Sequence, residues 1–253
     1  MSAPAGGQFR APNVSTGHLP DPELVTALVV EAYNTFKLNT EGKNSTVYPA
    51  MERVRSDLFG ICVVGVNGNA YEIGDTANEF TIMSVSKPFI FALVAEALGV
   101  QEVRDKIGTN ATGMPFNSVA AVERSPDART NPMVNSGAIA TTSLVPGGDV
   151  ESRWKFIYDG LCAFAGRALV LDEETLESAR ATNHRNQGIA RVLQSAGRIY
   201  IDPAEAVDLY TKQCCLNVSA HDLAVMGATL ADGGVNPVTK RRVVSPEICH
   251  YTL

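Results

Sequence analysis

Ser84 and Lys87, in the stretch FTIMSVSKPF from Phe80 to Phe89, are the residues whose types and spacing best suit chemistry. Three residues apart on a helix, a hydroxyl and an amine share one face. That is the minimum geometry for a serine nucleophile with an amine base. The spacing alone is a weak signal, because about one such Ser-x-x-Lys match arises by chance in a chain of this length. The sequence supplies a control in Ser152-Arg153-Trp154-Lys155, which follows the polar run PGGDV and reads as a solvated first helical turn. Ser84 has a different context: an apolar, β-branched run leads up to it and an apolar helix leads away. Its hydroxyl and N–H therefore fall at the positive end of a helix dipole. Pro88 is tolerated there, since a first turn has no internal N–H partner to lose. A lysine desolvated at such a junction has its pKa lowered and can accept the serine proton. Ser86, adjacent to Lys87, cannot face it and reads as a spacer. The bland alternative is a capping serine beside a lysine that snorkels to solvent.

The other reactive residue types form no pattern of this kind. His18, His184, His221 and His250 lack HxH or HExxH spacing, and the five cysteines (Cys62, Cys162, Cys214, Cys215, Cys249) contain no CxxC. No metal and no cofactor is expected, and an odd cysteine count with no framework fits a reducing, cytoplasmic setting. The 253 residues are 45% hydrophobic and 19% charged, enough for a sizeable core. A net charge of -6, with no basic cluster longer than Lys240-Arg241-Arg242, argues against a nucleic-acid partner. No apolar run is long enough for a membrane span. Residues 1–20 lack a secretory h-region and read as a flexible lead-in to one domain over 21–253.

The elements that must position Ser84 are legible in outline. Residues 22–38 carry apolar positions at helical spacing behind Asp21 as N-cap, predicting an amphipathic helix against a sheet. FGICVVGV (59–66), a turn at Asn67-Gly68-Asn69, AYEIGD and FTIMS predict two or three antiparallel strands. From Ser84 the pattern turns helical and stops at Gly99. Residues 100–235 predict a helical subdomain, with Asp149, Asp202 before Pro203, and Ser219 as helix starts and Gly233 as a stop. FGICVVGV is apolar on both faces, as an internal strand would be. With so few strands, the sheet is expected to be completed by chain beyond Leu253.

FTIMSVSKPF resembles the active-site segment of the serine-dependent glutaminases, whose fold is similar to that of the serine β-lactamases and penicillin-binding proteins. The likeness continues through VYPAMERVRSDLFGICVV, GMPFNSV, NPMVNSGAIATTSL, RNQGIA, YTKQCCLNV and DLAVMGATLADGGVNPVT, covering about residues 25–245. The resemblance implies an α+β, serine β-lactamase-like fold: an antiparallel sheet flanked by helices, plus a helical subdomain at about 100–235. It implies hydrolysis of L-glutamine to glutamate and ammonia through a Ser84 acyl-enzyme. Lys87 would be the base, Tyr210 a further catalytic residue, and the Ser84 N–H half of the oxyanion hole. Tyr48, Asn135, Asn186 and Tyr210 would bind substrate, since neutral amides and phenols orient glutamine without adding a competing charge. It also implies a homo-oligomer.

Two departures from the family pattern stand out. Ala179 occupies the position of a glutamate that would hold the substrate ammonium, and Glu177 lies two residues away. The family's later KSGVGG-like strand, which supplies the second oxyanion donor, is not among these residues, so a complementing C-terminal segment is expected as a partner and the chain alone is expected to be inactive. Two other readings stay open: another serine amidohydrolase or penicillin-recognising enzyme on this fold, or a non-catalytic scaffold module.

Overall fold

A computed structural model of the protein describes residues 20–253. The expected lead-in therefore lies outside the described residues, except for Pro20. Helix α1 (Pro22–Phe36) starts where expected: the Asp21 carboxylate accepts from the Glu23 N–H at 2.8 Å, with Pro22 in the first turn. A 3-10 turn over Pro49–Arg53 follows. Strands β1 (Gly60–Val64) and β2 (Ala70–Gly74) then pair antiparallel, with Cys62 opposite Glu72 and Val63 opposite Tyr71. Their connection is a five-residue loop closed by the Gly65 N–H on the Asn69 carbonyl at 2.9 Å, with Gly68 at φ 92°. As expected, α1 lies against this ribbon, where Tyr33 stacks on Phe59 with ring centroids 5.4 Å apart.

Strand β3 (Phe80–Thr81) corrects the sequence reading, because it does not extend the hairpin. It pairs instead with β5 (Leu216–Val218), whose other edge takes β4 (Val170–Leu171), in the order β3-β5-β4. Neither β4 nor β5 was expected within the helical stretch. Each is two or three residues long, too short to show a period of two in the sequence. Among the described residues β1 pairs with β2 alone, and Val63 is 43% exposed.

The helices wrap one core around α2 (Ser86–Leu98), which is buried continuously from Phe89 to Ala95. A helix apolar on all sides must be covered on all sides. The covering elements are α3 (Val100–Ile107), α5 (Asn135–Thr142), α6 (Val150–Ala165) and α11 (Pro246–Thr252), with α4 (Ala120–Arg124) lying farther out against α8. Phe89 meets Phe164 of α6 at 5.0 Å between centroids. Each such buried large side chain contributes about 1.5–3 kcal/mol. Helices α7 (Glu173–Thr182), α8 (His184–Ser195), α9 (Pro203–Cys214) and α10 (Ala220–Ala231) complete the order.

The predicted caps are in place. Asp149 accepts from the Ser152 N–H at 2.8 Å, Asp202 from Ala204 at 2.9 Å, and Ser219 from Asp222 at 3.2 Å. Helix α10 ends two residues before Gly233, which takes φ 62°. No described helix is long and apolar enough to cross a membrane.

Candidate active site

The chain enters the site through β3. Ile82 donates its N–H to the Leu216 carbonyl of β5 at 2.8 Å, and Met83 then adopts φ 50°. A left-handed conformation costs a non-glycine residue roughly 1–3 kcal/mol, and such strain gathers where surrounding structure holds it. Ser84 follows in a 3-10 turn over Met83–Val85, and α2 proper begins at Ser86. The helix thus starts two residues later than the sequence pattern implied. The intervening Val85 and Ser86 are both right-handed helical, so Ser84 and Lys87 still occupy neighbouring positions one turn apart. Ser84 is exposed, while Lys87 is 4% exposed.

Lys87 is the centre of a buried polar network. Its Nζ donates to Asn135 Oδ1 at 2.8 Å, and the Tyr210 hydroxyl donates to the same oxygen at 3.3 Å. Asn135 Nδ2 in turn donates to Asn186 Oδ1 at 3.0 Å. The Ser84 side chain lies beside the Tyr210 hydroxyl, where it slightly offsets the rise that burial imposes on the phenol pKa. Five elements (the turn before α2, then α2, α5, α8 and α9) therefore converge on one cluster that gathers five of the six sequence-predicted residues: Ser84, Lys87, Asn135, Asn186 and Tyr210.

Burial sets the protonation states. It lowers the Lys87 pKa, with only a small opposing pull from Cys214. Burial also pushes the Cys214 thiol up to about 11, so at neutral pH it supplies no counter-charge. Among the described residues no carboxylate pairs with Lys87. Tyr210 is raised well above the usual phenol value, burial being the main cause, so it serves as a hydrogen-bond donor rather than a phenolate.

Tyr48 stands apart from this network. It is buried in a small apolar cluster with Leu176, Ala179 and Cys215, where desolvation holds its hydroxyl in the neutral form. Ala179 is fully buried on α7, whereas Glu177 is exposed on the same helix and cannot stand in for it.

Three contributors escaped the sequence reading. Ser86 is a buried tie rather than a spacer: Gln213 Nε2 donates to its Oγ at 3.3 Å, and Gln213 Oε1 accepts from Thr142 at 3.1 Å. This pins α2, α5 and α9 together directly beneath Lys87. Gln213 lies three residues after Tyr210, on the neighbouring turn of α9, which was the available signal. Phe116 is the third: its carbonyl accepts from the Asn135 N–H at 2.8 Å, and its ring centre lies 5.6 Å from Lys87 Nζ. The control pair behaves as expected, with Ser152 in a capping box and Lys155 paired at the surface with Asp159 at 2.6 Å.

Gly137 fixes the height of Asn135. A Cβ there would lie 1.8 Å from the Asn131 carbonyl oxygen, so the Asn131-Pro132 loop can seat on α5 only above a glycine. Gly137→Ala is expected to cost about 2 kcal/mol in urea denaturation, in the range for overpacking a filled site. An unchanged midpoint would mean that this close approach is absent in solution.

A family model described as Glutaminase matches residues 42–253. The chain belongs to the glutaminase family. Among curated glutaminases it is 66% identical over 240 residues to Glutaminase 2 of Yersinia pestis, covering 95% of this chain and 71% of that one. It is 50% identical over 206 residues to a Glutaminase of Brucella canis, covering 81% of this chain and 65% of that one. The chain thus spans roughly two thirds of the length of these glutaminases. Among solved structures, the probable glutaminase ybaS superposes with a TM-score of 0.90 at 40% identity, over 92% of this chain and 76% of that one. Mglu in its L-glutamate binding form superposes at 0.84 and 31% identity, over 92% and 52%. The fold is accordingly the α+β arrangement of the glutaminases, as expected from FTIMSVSKPF and its companion segments.

Proposed function

We propose that these residues form the nucleophile side of a glutaminase active site, and the Ser84–Tyr210–Asn135–Lys87 cluster is the observation that carries this reading. Ser84 Oγ attacks the side-chain amide carbon of L-glutamine while neutral Lys87 Nζ takes its proton. The bond donated by Nζ to Asn135 Oδ1 aims the remaining lone pair toward the hydroxyl. The Ser84 N–H, in the turn that leads into α2, faces the developing oxyanion. Lys87 then returns the proton to the amide nitrogen, ammonia leaves, and a glutamyl ester remains on Ser84. A water that Lys87 deprotonates attacks this ester and releases glutamate. Asn135 keeps one amide N–H beyond its bond to Asn186, which suits a substrate carboxylate. Tyr48 contributes the apolar wall next to the phenol of Tyr210. A relative solved in an L-glutamate binding form supports the product assignment.

In this reading the second oxyanion donor comes from a C-terminal segment that pairs along the free edge of β1, and activity needs that segment. We further place the protein in the cytoplasm as a homo-oligomer without cofactor. One observation favours a second reading: the buried apolar Ala179 leaves no carboxylate for a substrate ammonium. A different serine amidohydrolase or a penicillin-recognising enzyme would need none. Ammonia release from L-glutamine, run beside β-lactam turnover with the C-terminal segment present, separates the two. Turnover of glutamine alone is expected; β-lactam hydrolysis without ammonia release would transfer the assignment to the second reading.

A further inference from the structure

Outside this cluster, on the β1–β2 ribbon, the fold gathers three side chains that the proposed glutaminase reaction does not use. Cys62 of β1 and Glu72 of β2 are directly opposite each other in the ladder, so their side chains leave the same face of the ribbon. His221, in the first turn of α10, meets them from the packed helix, its Nδ1 2.9 Å from Glu72 Oε1. One donor atom from each residue, a sulfur, a carboxylate oxygen and an imidazole nitrogen, lies within 4.8 Å of the other two. Ligands on a tetrahedral zinc ion are separated by roughly 3.3–3.8 Å, given Zn–N near 2.0 Å and Zn–S near 2.3 Å. Rotamer adjustments of about an ångström close that difference.

We propose that Cys62, Glu72 and His221 form a binding site for a borderline divalent cation, of which zinc is the best match. The donor set selects it: thiolate and imidazole favour zinc over magnesium or calcium, and thiolate plus carboxylate neutralise a doubly charged ion. The Cys62 sulfur faces the Glu72 carboxylate across the ladder, so the ion would bridge these two groups and take the place of the thiol proton. The Glu72 and His221 side chains are 37% and 40% exposed, which leaves a solvent-facing fourth position for water. The backbone holds the constellation independently of metal: β1 and β2 by their ladder, and His221 by its N–H on the Thr76 carbonyl at 3.4 Å. A bound ion would clamp the ribbon to α10, which otherwise meets it there through side-chain packing, the His221 N–H on Thr76 and the His221–Glu72 hydrogen bond. Spacing rules could not reveal it, since His221 lies 149 residues from Glu72.

The test is titration of the chelator-stripped protein with zinc in competition with a chromophoric chelator, repeated with cobalt(II). One equivalent of zinc, an upward shift of the melting temperature, and a near-ultraviolet thiolate-to-cobalt band are expected. Cys62→Ser should remove that band, and Cys62→Ser and His221→Gln should each weaken zinc binding by at least about tenfold. His250→Gln, at an exposed histidine elsewhere, should change nothing. Glu72→Gln, a partly exposed and isosteric change, provides a third variant should either of the others fail to fold. Less than one equivalent of zinc, a cobalt spectrum without the thiolate band, or wild-type affinity in the folded variants would overturn the assignment.

Discussion

With the C-terminal segment present, Ser84→Ala is expected to abolish ammonia release from L-glutamine, by about 10⁴-fold or more in kcat, without loosening the fold. The size follows from the chemistry: the neighbouring serine cannot substitute, because Ser86 is buried and already accepts from Gln213, and Tyr210 is held as a neutral phenol. The intact fold follows from exposure, since Ser84 contributes little to packing and its backbone is held by Ile82 on β5. Mass measurement after acid quench sharpens the result. Wild type should carry one glutamyl group during turnover, and the variant none. A variant that retained activity would remove Ser84 from the nucleophile role.

Lys87→Met is expected to lower kcat/KM by about 10²–10⁴-fold, the usual contribution of a positioned base. It should also change the pH dependence of stability in a direction that a merely structural lysine would not. Burial holds the folded-state pKa of Lys87 below its ordinary value of 10.5. The unfolded chain therefore binds the proton more tightly, and wild-type stability rises with pH between the lowered folded value and 10.5. Below that window the buried charge is a constant penalty; above it the penalty is gone. Methionine has no such window, so the melting temperature of Lys87→Met relative to wild type should be highest near neutral pH and fall toward pH 10.5. Wild-type kcat/KM should rise with pH as the amine loses its proton. A stability difference independent of pH would show that Lys87 is not desolvated as described.

What the sequence made legible was mostly local. Helix starts at Asp21, Asp149, Asp202 and Ser219 carry their own capping chemistry within three residues, and each is where it was expected. The strand-to-helix break at Ser84 was equally visible, because its two halves have different periods. The convergence of Asn135, Asn186 and Tyr210 on Lys87 was legible only through resemblance, since those residues come from helices scattered across the chain. What remained hidden depends on partners far away in sequence. Ser86 looked idle because Gln213 is 127 residues distant, and β3 was assigned to the wrong sheet because β5 comes more than a hundred residues later. Nothing local distinguishes two extended residues bound for one neighbour from two bound for another.

The short strand β5 has a consequence for how this protein loses function. Its three residues, with Cys215 just before them, hold the approach to Ser84 through β3, the approach to α7 and α8 through β4 and the Asp172 N–H, and the end of the helix bearing Tyr210. Such a hinge point behaves as a single cooperative unit of opening. One local fluctuation there is expected to release Ser84, Asn186 and Tyr210 together while the core around α2 stays closed. Inactivation by mild heat or denaturant then precedes global melting, and the amides of Ile82 and Asp172 exchange with solvent at one common rate.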